Sequence, residues 1–458
     1  MATSTLTADD HVLIVGGGFS GTLLAINLLR HDGPRVTLVE RRRDQLARGV
    51  AYSAADESHL LNVRAANMSA FPDDRDHFAR WLADQSLGGP ASFVPRTVYG
   101  RYLRELLEDA RRDGGDRLSL IDGEVVALDP AGQRVEALLE SGELLQCDRA
   151  VLALGNLPPH PPAGIDVGSL SSDLYCDDPW AADIAEGLTD GDEVLLLGTG
   201  LTAIDAALLL ERRGFRGSIT AMSRRGLRPR PHVDGQPPVT PAGEKPADTL
   251  SALVRSVRTA AETVGWRNAV DALRPVTQLL WEGADGPTRA RFLRHLRPFW
   301  DVHRHRLAPS VGSRIDAMVA RGQLRFAAAK LAAAQAEGRG VAVAYRPRGA
   351  TELQRRPFRR IINCTGPQGD LLRTQERLLA QLVQAGTIRP DALRLGVDVD
   401  ATSRTIGADG RPQPWLYAVG PMTRGASWEV VAVPDLRVQT WSLARTLANA
   451  HWVGGEGL

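Results

Sequence analysis

The sequence predicts an α/β fold with two parallel sheets, each opened by a short apolar strand, a glycine turn and a helix. Three observations carry this. His11–Arg30 runs from the apolar strand Val12–Val15 through Gly16-Gly17-Gly18-Phe19-Ser20-Gly21 into helical spacing at Leu23, Leu24, Ile26, Leu28 and Leu29. Glu193–Arg212 repeats the arrangement with Gly198-Thr199-Gly200-Leu201-Thr202-Ala203. Further apolar strands end in glycine at Gly155, Gly366 and Gly420. The expectation is two Rossmann-like dinucleotide-binding domains, the first discontinuous, with a helical insertion in the second.

The first fingerprint is strand, turn and helix, the context that gives G-x-G-x-x-G its meaning. Gly16 permits the tight turn, Gly18 lets the backbone approach a pyrophosphate, and Gly21 lets helix and strand pack closely. The helix N-terminus then offers free N–H groups and a positive dipole end to phosphates. The next strand, Arg35–Val39, closes in Glu40 at the spacing of a carboxylate that takes a ribose hydroxyl.

With 458 residues the chain has room for two or three domains, and 43% hydrophobic residues is ordinary for a globular protein. A net charge of +1 speaks against a dedicated nucleic-acid or membrane-surface partner. No apolar run reaches the roughly 18 residues that span a bilayer. Met1–Asp10 is polar, reads as disordered and does not resemble a signal peptide. Cys147, Cys176 and Cys364 form no C-x-x-C pair, so neither a local disulfide redox centre nor a cysteine zinc site is expected, and no other metal site is expected either. A cytoplasmic location is the default.

In chain order, Arg41, Arg42, Arg43 and Arg48 form a cluster that sits near an adenosine or phosphate or is simply solvated. His59–Val63 and Asn67–Pro72 suit an ordered loop lining a ligand. Helices are expected over 77–85 and 99–112, and two antiparallel strands over 118–129 and 133–139. The buried strand Arg149–Leu154 ends in Gly155-Asn156, and Pro158, Pro159, Pro161 and Pro162 then mark a crossover.

After the second fingerprint, with its helix expected from Ile204, the strand Ser218–Met222 ends in Ser223-Arg224-Arg225. A carboxylate there would repel a 2′-phosphate, whereas serine and arginines would bind one, so NADPH is expected over NADH. Residues 226–246 read as a loop and 250–318 as mostly helical. Arg294–Arg306, with Arg297, His303 and Arg304, is a metal site, a basic wall facing an anion, or a structural cluster; no H-E-x-x-H pattern supports the first. Strands at 324–326, 341–345 and 360–366, then 415–420, complete the sheets, and a helix begins near Pro434. The boundaries expected are 1–165 with 356–458 for the first domain, and 185–355 for the second with an insertion at about 235–320.

This order resembles the flavoproteins with two dinucleotide-binding domains, which include the single-component flavin monooxygenases. More closely, GGGFSG, RGVAYS with LLNV, GTGLTAID, SRRGL, RHLRPFWDVHRHR and GPMTRGASWEVVAVPDLRVQ look like a bacterial FAD/NAD(P)-binding protein family. The resemblance implies that Gly16, Gly18, Phe19, Ser20, Gly21, Glu40 and Arg41 hold FAD, with Val126 at the adenine. It further implies that Gly420 and Pro421 close on the flavin and that Leu61, Asn62 and Trp428 flank its ring; Gly155 and Gly366, at their strand ends, are further cofactor-binding candidates. Gly198, Thr199, Gly200, Leu201, Thr202, Ser223, Arg224 and Arg225 would hold NADPH. Asn62, Trp428, Glu429, Arg297, His303 and Arg304 are the catalytic candidates.

The Baeyer–Villiger fingerprint is missing, since VGSLSSDLYC around Gly168 has serine where its histidine belongs, and no C-x-x-C of the thioredoxin-reductase type comes after the first helix. No catalytic triad is evident. The activity implied is an NADPH-using monooxygenase that works through a peroxyflavin on a small amine or amino acid, with molecular oxygen as co-substrate. The alternatives are an NADPH-dependent reductase without oxygen insertion, and a non-catalytic flavin-binding redox sensor.

Overall fold

The computed structural model describes residues 6–7, 9–53, 56–180, 183–233 and 249–449. Most of the residues expected to be disordered near the N-terminus (1–5 and 8) and most of the loop expected at 226–246 (from 234 on) lie outside that set. Two units divide the chain. One comprises residues 1–55, 64–157 and 369–458, the other 56–63 and 158–368.

The first unit is built on a six-stranded sheet in the order Arg404–Ile406, Pro412–Ala418, Arg149–Leu152, His11–Val15, Arg35–Glu40, Leu118–Asp122. All neighbours run parallel except the first pair. The central strand is buried on both faces, which is why Val12–Val15 is uninterruptedly apolar. One face carries a three-stranded antiparallel sheet, Val125–Ala131, Arg134–Leu139 and Leu144–Cys147. Its Leu128, Val135 and Ala137 share a core with Leu13, Val15, Leu152 and the helix Arg377–Gln384. The fingerprint helix Phe19–Arg30 packs against the last helix, Val433–Leu447.

The second unit has a seven-stranded sheet: Gln354–Phe358, Gly340–Pro347, Leu324–Glu337, Ser218–Ser223, Glu193–Leu197, Arg360–Asn363, Tyr175–Cys176. Its parallel half holds the second fingerprint, and its other end is an antiparallel hairpin extension. The insertion between 250 and 320 is helical, from Leu250–Asp271, which is broken at Gly265, to Pro309–Ala320.

Several expectations change. The strand expected over 118–129 is two elements: Leu118–Asp122 runs parallel to Arg35–Glu40 as the sheet edge, and Val125–Ala131 starts the antiparallel sheet. The break falls where Gly123 donates its N–H to Glu40 O at 3.1 Å. The strand expected at 324–326 extends to Glu337, and Gln354–Phe358, not foreseen, pairs with Gly340–Pro347. An alanine-rich run shows no alternation, so only its partner strand reveals it. The return to the first unit falls at 368–369 and not at 356, because Arg360–Asn363 pairs with Glu193–Leu197.

Arg306 organises the insertion. It is 2% exposed, and its guanidinium donates to both Asp271 carboxylate oxygens at 2.8 Å, to His303 O and to Arg267 O. Arg306→Ala is expected to cost about 3 kcal/mol in urea unfolding, the lower end of the range for breaking a buried pair because Asp271 keeps some solvent. A change below about 0.5 kcal/mol would mean that the pair is not structural.

Candidate functional site: two dinucleotide turns

The two turns are built alike. Gly16 has φ +104°, and a Cβ added there would lie 2.5 Å from Ala153 O. Gly198 has φ +124°, with Cys364 O only 2.2 Å from its would-be Cβ. Each glycine therefore answers a left-handed backbone and a carbonyl of the adjacent strand at once. Each turn is held from the other side too: Gly16 N–H donates to Val39 O at 2.9 Å, and Gly198 N–H to Met222 O at 2.7 Å.

The helices start at once. Gly18 and Gly200 are N-caps without side chains, so no capping group occupies the first-turn N–H groups. Intrahelical bonding begins with Thr22 N–H to Gly18 O and Ile204 N–H to Gly200 O. This leaves the amides of Phe19, Ser20 and Gly21, and those of Leu201, Thr202 and Ala203, for an anion. The second helix starts at Leu201, earlier than expected, and that early start is what frees these amides.

In the first unit, Gly17 N–H donates to Glu40 Oε2 at 2.8 Å and Arg42 N–H to Oε1 at 3.0 Å. The carboxylate is locked in place with acceptor capacity left for ribose hydroxyls. Val126 is the extra residue of a bulge: Val125 pairs with Leu139 and Ala127 with Leu138, so Val126 has no cross-strand counterpart. Gly420 (φ +89°) lies against the fingerprint, its would-be Cβ 2.8 Å from Ser20 Oγ. Gln439 accepts from Gly420 N–H at 2.8 Å and donates to Thr423 Oγ1 at 2.9 Å, which fixes the Gly420-Pro421 turn. Gln439 was not singled out in the sequence, where nothing local marks it. Gly155 and Gly366 both have positive φ with open space at the Cβ position.

In the second unit a hydroxyl relay knits the 223–227 turn to the fingerprint. Gly226 N–H donates to Ser223 Oγ, Ser223 to Thr199 Oγ1, and Thr199 to Leu227 O at 2.5 Å. Each hydroxyl proton is spent there, so Ser223 and Thr199 shape the turn, and Ser223 has no proton left to donate to a phosphate. Arg225 is also committed: it reaches Arg294 O and His295 O at 3.4 Å and lies over the Phe299 ring. It caps the C-terminus of helix Gly286–His295. Arg224, exposed at the strand end, has no hydrogen bond or ion pair among the described residues.

Other expected site residues are placed differently. Trp428 is 2% exposed, with the Arg424 guanidinium over its ring, and Glu429 is 6% exposed. Leu61 is buried as well, and Asn62 travels with 56–63 in the second unit, where His232 Nε2 donates to its carbonyl at 3.1 Å. Arg41 pairs with Glu376 at 2.7 Å, which raises its pKa and ties down its guanidinium. Arg297 pairs with Asp301 at 3.3 Å, and His303 Nδ1 donates to Phe299 O at 2.8 Å while its ring meets Trp266 edge-on. Arg304 ends the same short helix. No group of three or more metal-ligating side chains occurs among the described residues.

Burial pushes the thiols of Cys147 and Cys176 up to about 12 and about 11, and that of Cys364 higher still. All three are free and buried. The folded protein is therefore expected to show no thiol labelled within an hour by an aromatic disulfide reagent at pH 8, and three after unfolding. Fast labelling of one would reopen a thiol redox role.

Residues 13–157 match the FAD-NAD(P)-binding family. Nearly the whole chain, 96%, superposes on 99% of an ornithine hydroxylase from Pseudomonas aeruginosa at TM-score 0.66 and 16% identity. The chain shares the fold of that hydroxylase. L-lysine 6-monooxygenase from Pseudomonas syringae superposes equally well, at TM-score 0.66 and 16% identity over 96% of this chain and 99% of its own. A thioredoxin reductase from T. acidophilum is more distant, at TM-score 0.55 and 12% identity, with 97% and 99% covered. The uncharacterized protein YdhS of Escherichia coli is 23% identical over 215 residues, 43% of this chain and 38% of the relative. The chain thus aligns with under two fifths of that relative's length. Among the described residues no helix is long and apolar enough to cross a membrane.

Proposed function

We propose that the protein is an FAD-dependent, NADPH-using oxidoreductase of the cytoplasm, a monooxygenase acting on a small amine or amino acid with molecular oxygen. The observation that carries this reading is the pair of matched turns, whose neighbouring strands end differently: in a locked carboxylate, Glu40, beside the first and in a free guanidinium, Arg224, beside the second. The carboxylate suits the unphosphorylated ribose of FAD, the guanidinium the 2′-phosphate of NADPH. Bound flavin would supply hydride acceptance and oxygen activation. The amides of Phe19–Gly21 bind its pyrophosphate, Glu40 its ribose, the Val126 backbone its adenine, and the Gly420-Pro421 turn approaches from the last strand. The amides of Leu201–Ala203 bind the pyrophosphate of NADPH and Arg224 its 2′-phosphate.

The amine substrate class rests on the fold shared with an ornithine hydroxylase and a lysine monooxygenase. The buried, high-pKa cysteines weigh against a dithiol reductase. The test is NADPH consumption by flavin-loaded protein across a panel of amines and amino acids, with hydroxylated product and hydrogen peroxide measured together. Substrate-dependent, product-coupled oxidation is expected. Purified protein that neither holds nor takes up flavin would overturn the cofactor assignment. NADPH oxidation that never yields a hydroxylated product would leave the reductase reading.

A further inference from the structure

A cleft of about 660 Å³ lies in the first unit between the helix Arg96–Gly114, the 3-10 turn Arg43–Gln45 and the edge strand Leu118–Asp122. Arg104, Leu107, Glu108 and Arg111 fall at i, i+3, i+4 and i+7, one face of the helix. Arg43 joins the two helix arginines from across the cleft, and Leu46 and Leu120 complete an apolar floor with Leu107.

Three arginines and two acids line the cleft, an excess of one positive charge. Arg30, Arg41, Arg80 and Arg117 of the same unit all pair with carboxylates, whereas Arg43, Arg104 and Arg111 have no ion pair among the described residues. Arg104 reaches only Asp44 O, at 3.4 Å. Beside the cleft, burial and the Arg104 charge together lower the pKa of Arg48. The two acids present, Asp44 and Glu108, are also without ion-pair partners among the described residues.

We infer that this cleft binds a mononucleotide at a site separate from both dinucleotide turns. Three unpaired guanidinium groups suit a di- or triphosphate, since their planar forks bond phosphate oxygens in pairs. Leu46 and Leu120, half-buried beside the buried Leu107, suit the flat face of a base, and the volume is that of a small-molecule pocket. The two carboxylates accept from ribose hydroxyls and an exocyclic amine, which a bare inorganic anion lacks. Leu46 is the shared wall with the first turn: a Cβ added at Gly17 would meet Leu46 Cδ1 at 2.8 Å, and Ala47 N–H donates to Gly17 O at 2.7 Å.

The test is calorimetric titration of the protein as purified with ATP and, separately, inorganic pyrophosphate. ATP is expected to bind at least about tenfold tighter than pyrophosphate. The Arg104→Glu/Arg111→Glu double variant should lose at least about tenfold in ATP affinity with flavin content and melting temperature unchanged, while Arg224→Ala retains the ATP site. Equal affinity for ATP and pyrophosphate would overturn the nucleotide assignment. ATP binding that survives the double variant, that vanishes with Arg224→Ala, or that expels flavin would place ATP in a dinucleotide site and overturn the separate cleft. No binding by the wild type would overturn it outright.

Discussion

Gly21→Ala is expected to destabilise the first unit by at least about 4 kcal/mol and to abolish flavin retention. A Cβ at this position would lie 1.9 Å from Gly16 O, 3.1 Å from Gly16 C and 3.2 Å from the Ile14 side chain. The obstruction is backbone, and Gly16 cannot yield: its own turn is pressed against Ala153 O on one side and bonded to Val39 O on the other. The helix would have to lift off the sheet, breaking its packing against Val433–Leu447 and moving the amides that face the pyrophosphate. Thermal unfolding and flavin absorbance of the purified variant measure the two effects. Near-normal stability with full flavin content would show that helix and strand are farther apart than these contacts imply. Gly200→Ala is the informative contrast. Nothing lies within 4 Å of its would-be Cβ, so the fold should survive while NADPH, approaching that face, binds less well.

The same contacts show which parts of the molecule are legible in a sequence. The fingerprints are, because their demands are local: a positive φ and a carbonyl at contact distance admit only glycine at positions 16 and 198. The third position shows how fine that reading is. Gly21 has no room for a methyl group, while the second unit carries Ala203 there, so its helix stands off far enough for one. The place of Arg224 at a strand end is legible too, since it directly follows a strand that the pattern predicts. Trp428 was not. A large aromatic beside a glycine turn satisfies a core and a cofactor wall equally well, and its burial beneath Arg424 is a contact that no local pattern announces. Nor could the sequence show that 56–63 belongs with the second unit. That depends on His59 Nε2 donating to Asp205 O and on Arg212 pairing with Asp56 at 3.0 Å, contacts about 150 residues apart. The Ser223–Thr199 relay and the capping role of Arg225 escaped for the same reason: each looked like a phosphate ligand by position, and each is consumed by a partner distant in sequence.

That consumption narrows the choice of a specificity residue. Of the three groups in Ser223-Arg224-Arg225, Ser223 has spent its proton and Arg225 reaches the end of a helix, whereas Arg224 makes no hydrogen bond or ion pair among the described residues, so discrimination between NADPH and NADH is expected to rest on it. A charge-assisted bond contributes about 1.5–3 kcal/mol, and about 1.4 kcal/mol is tenfold in affinity. Arg224→Ala should therefore lower kcat/KM for NADPH by roughly ten- to a hundredfold, chiefly through KM, and change that for NADH by no more than about twofold. Arg225→Ala should behave differently. Losing its bonds to Arg294 O and His295 O frees the end of helix Gly286–His295, so both nucleotides should suffer alike and the melting temperature should fall. Steady-state kinetics with the two nucleotides on the two variants separate these roles. If Arg224→Ala weakens NADH as much as NADPH, the guanidinium does not read the 2′-phosphate; if Arg225→Ala alone changes the ratio, that reading belongs to Arg225, and its contact with the helix end gives way when the nucleotide binds.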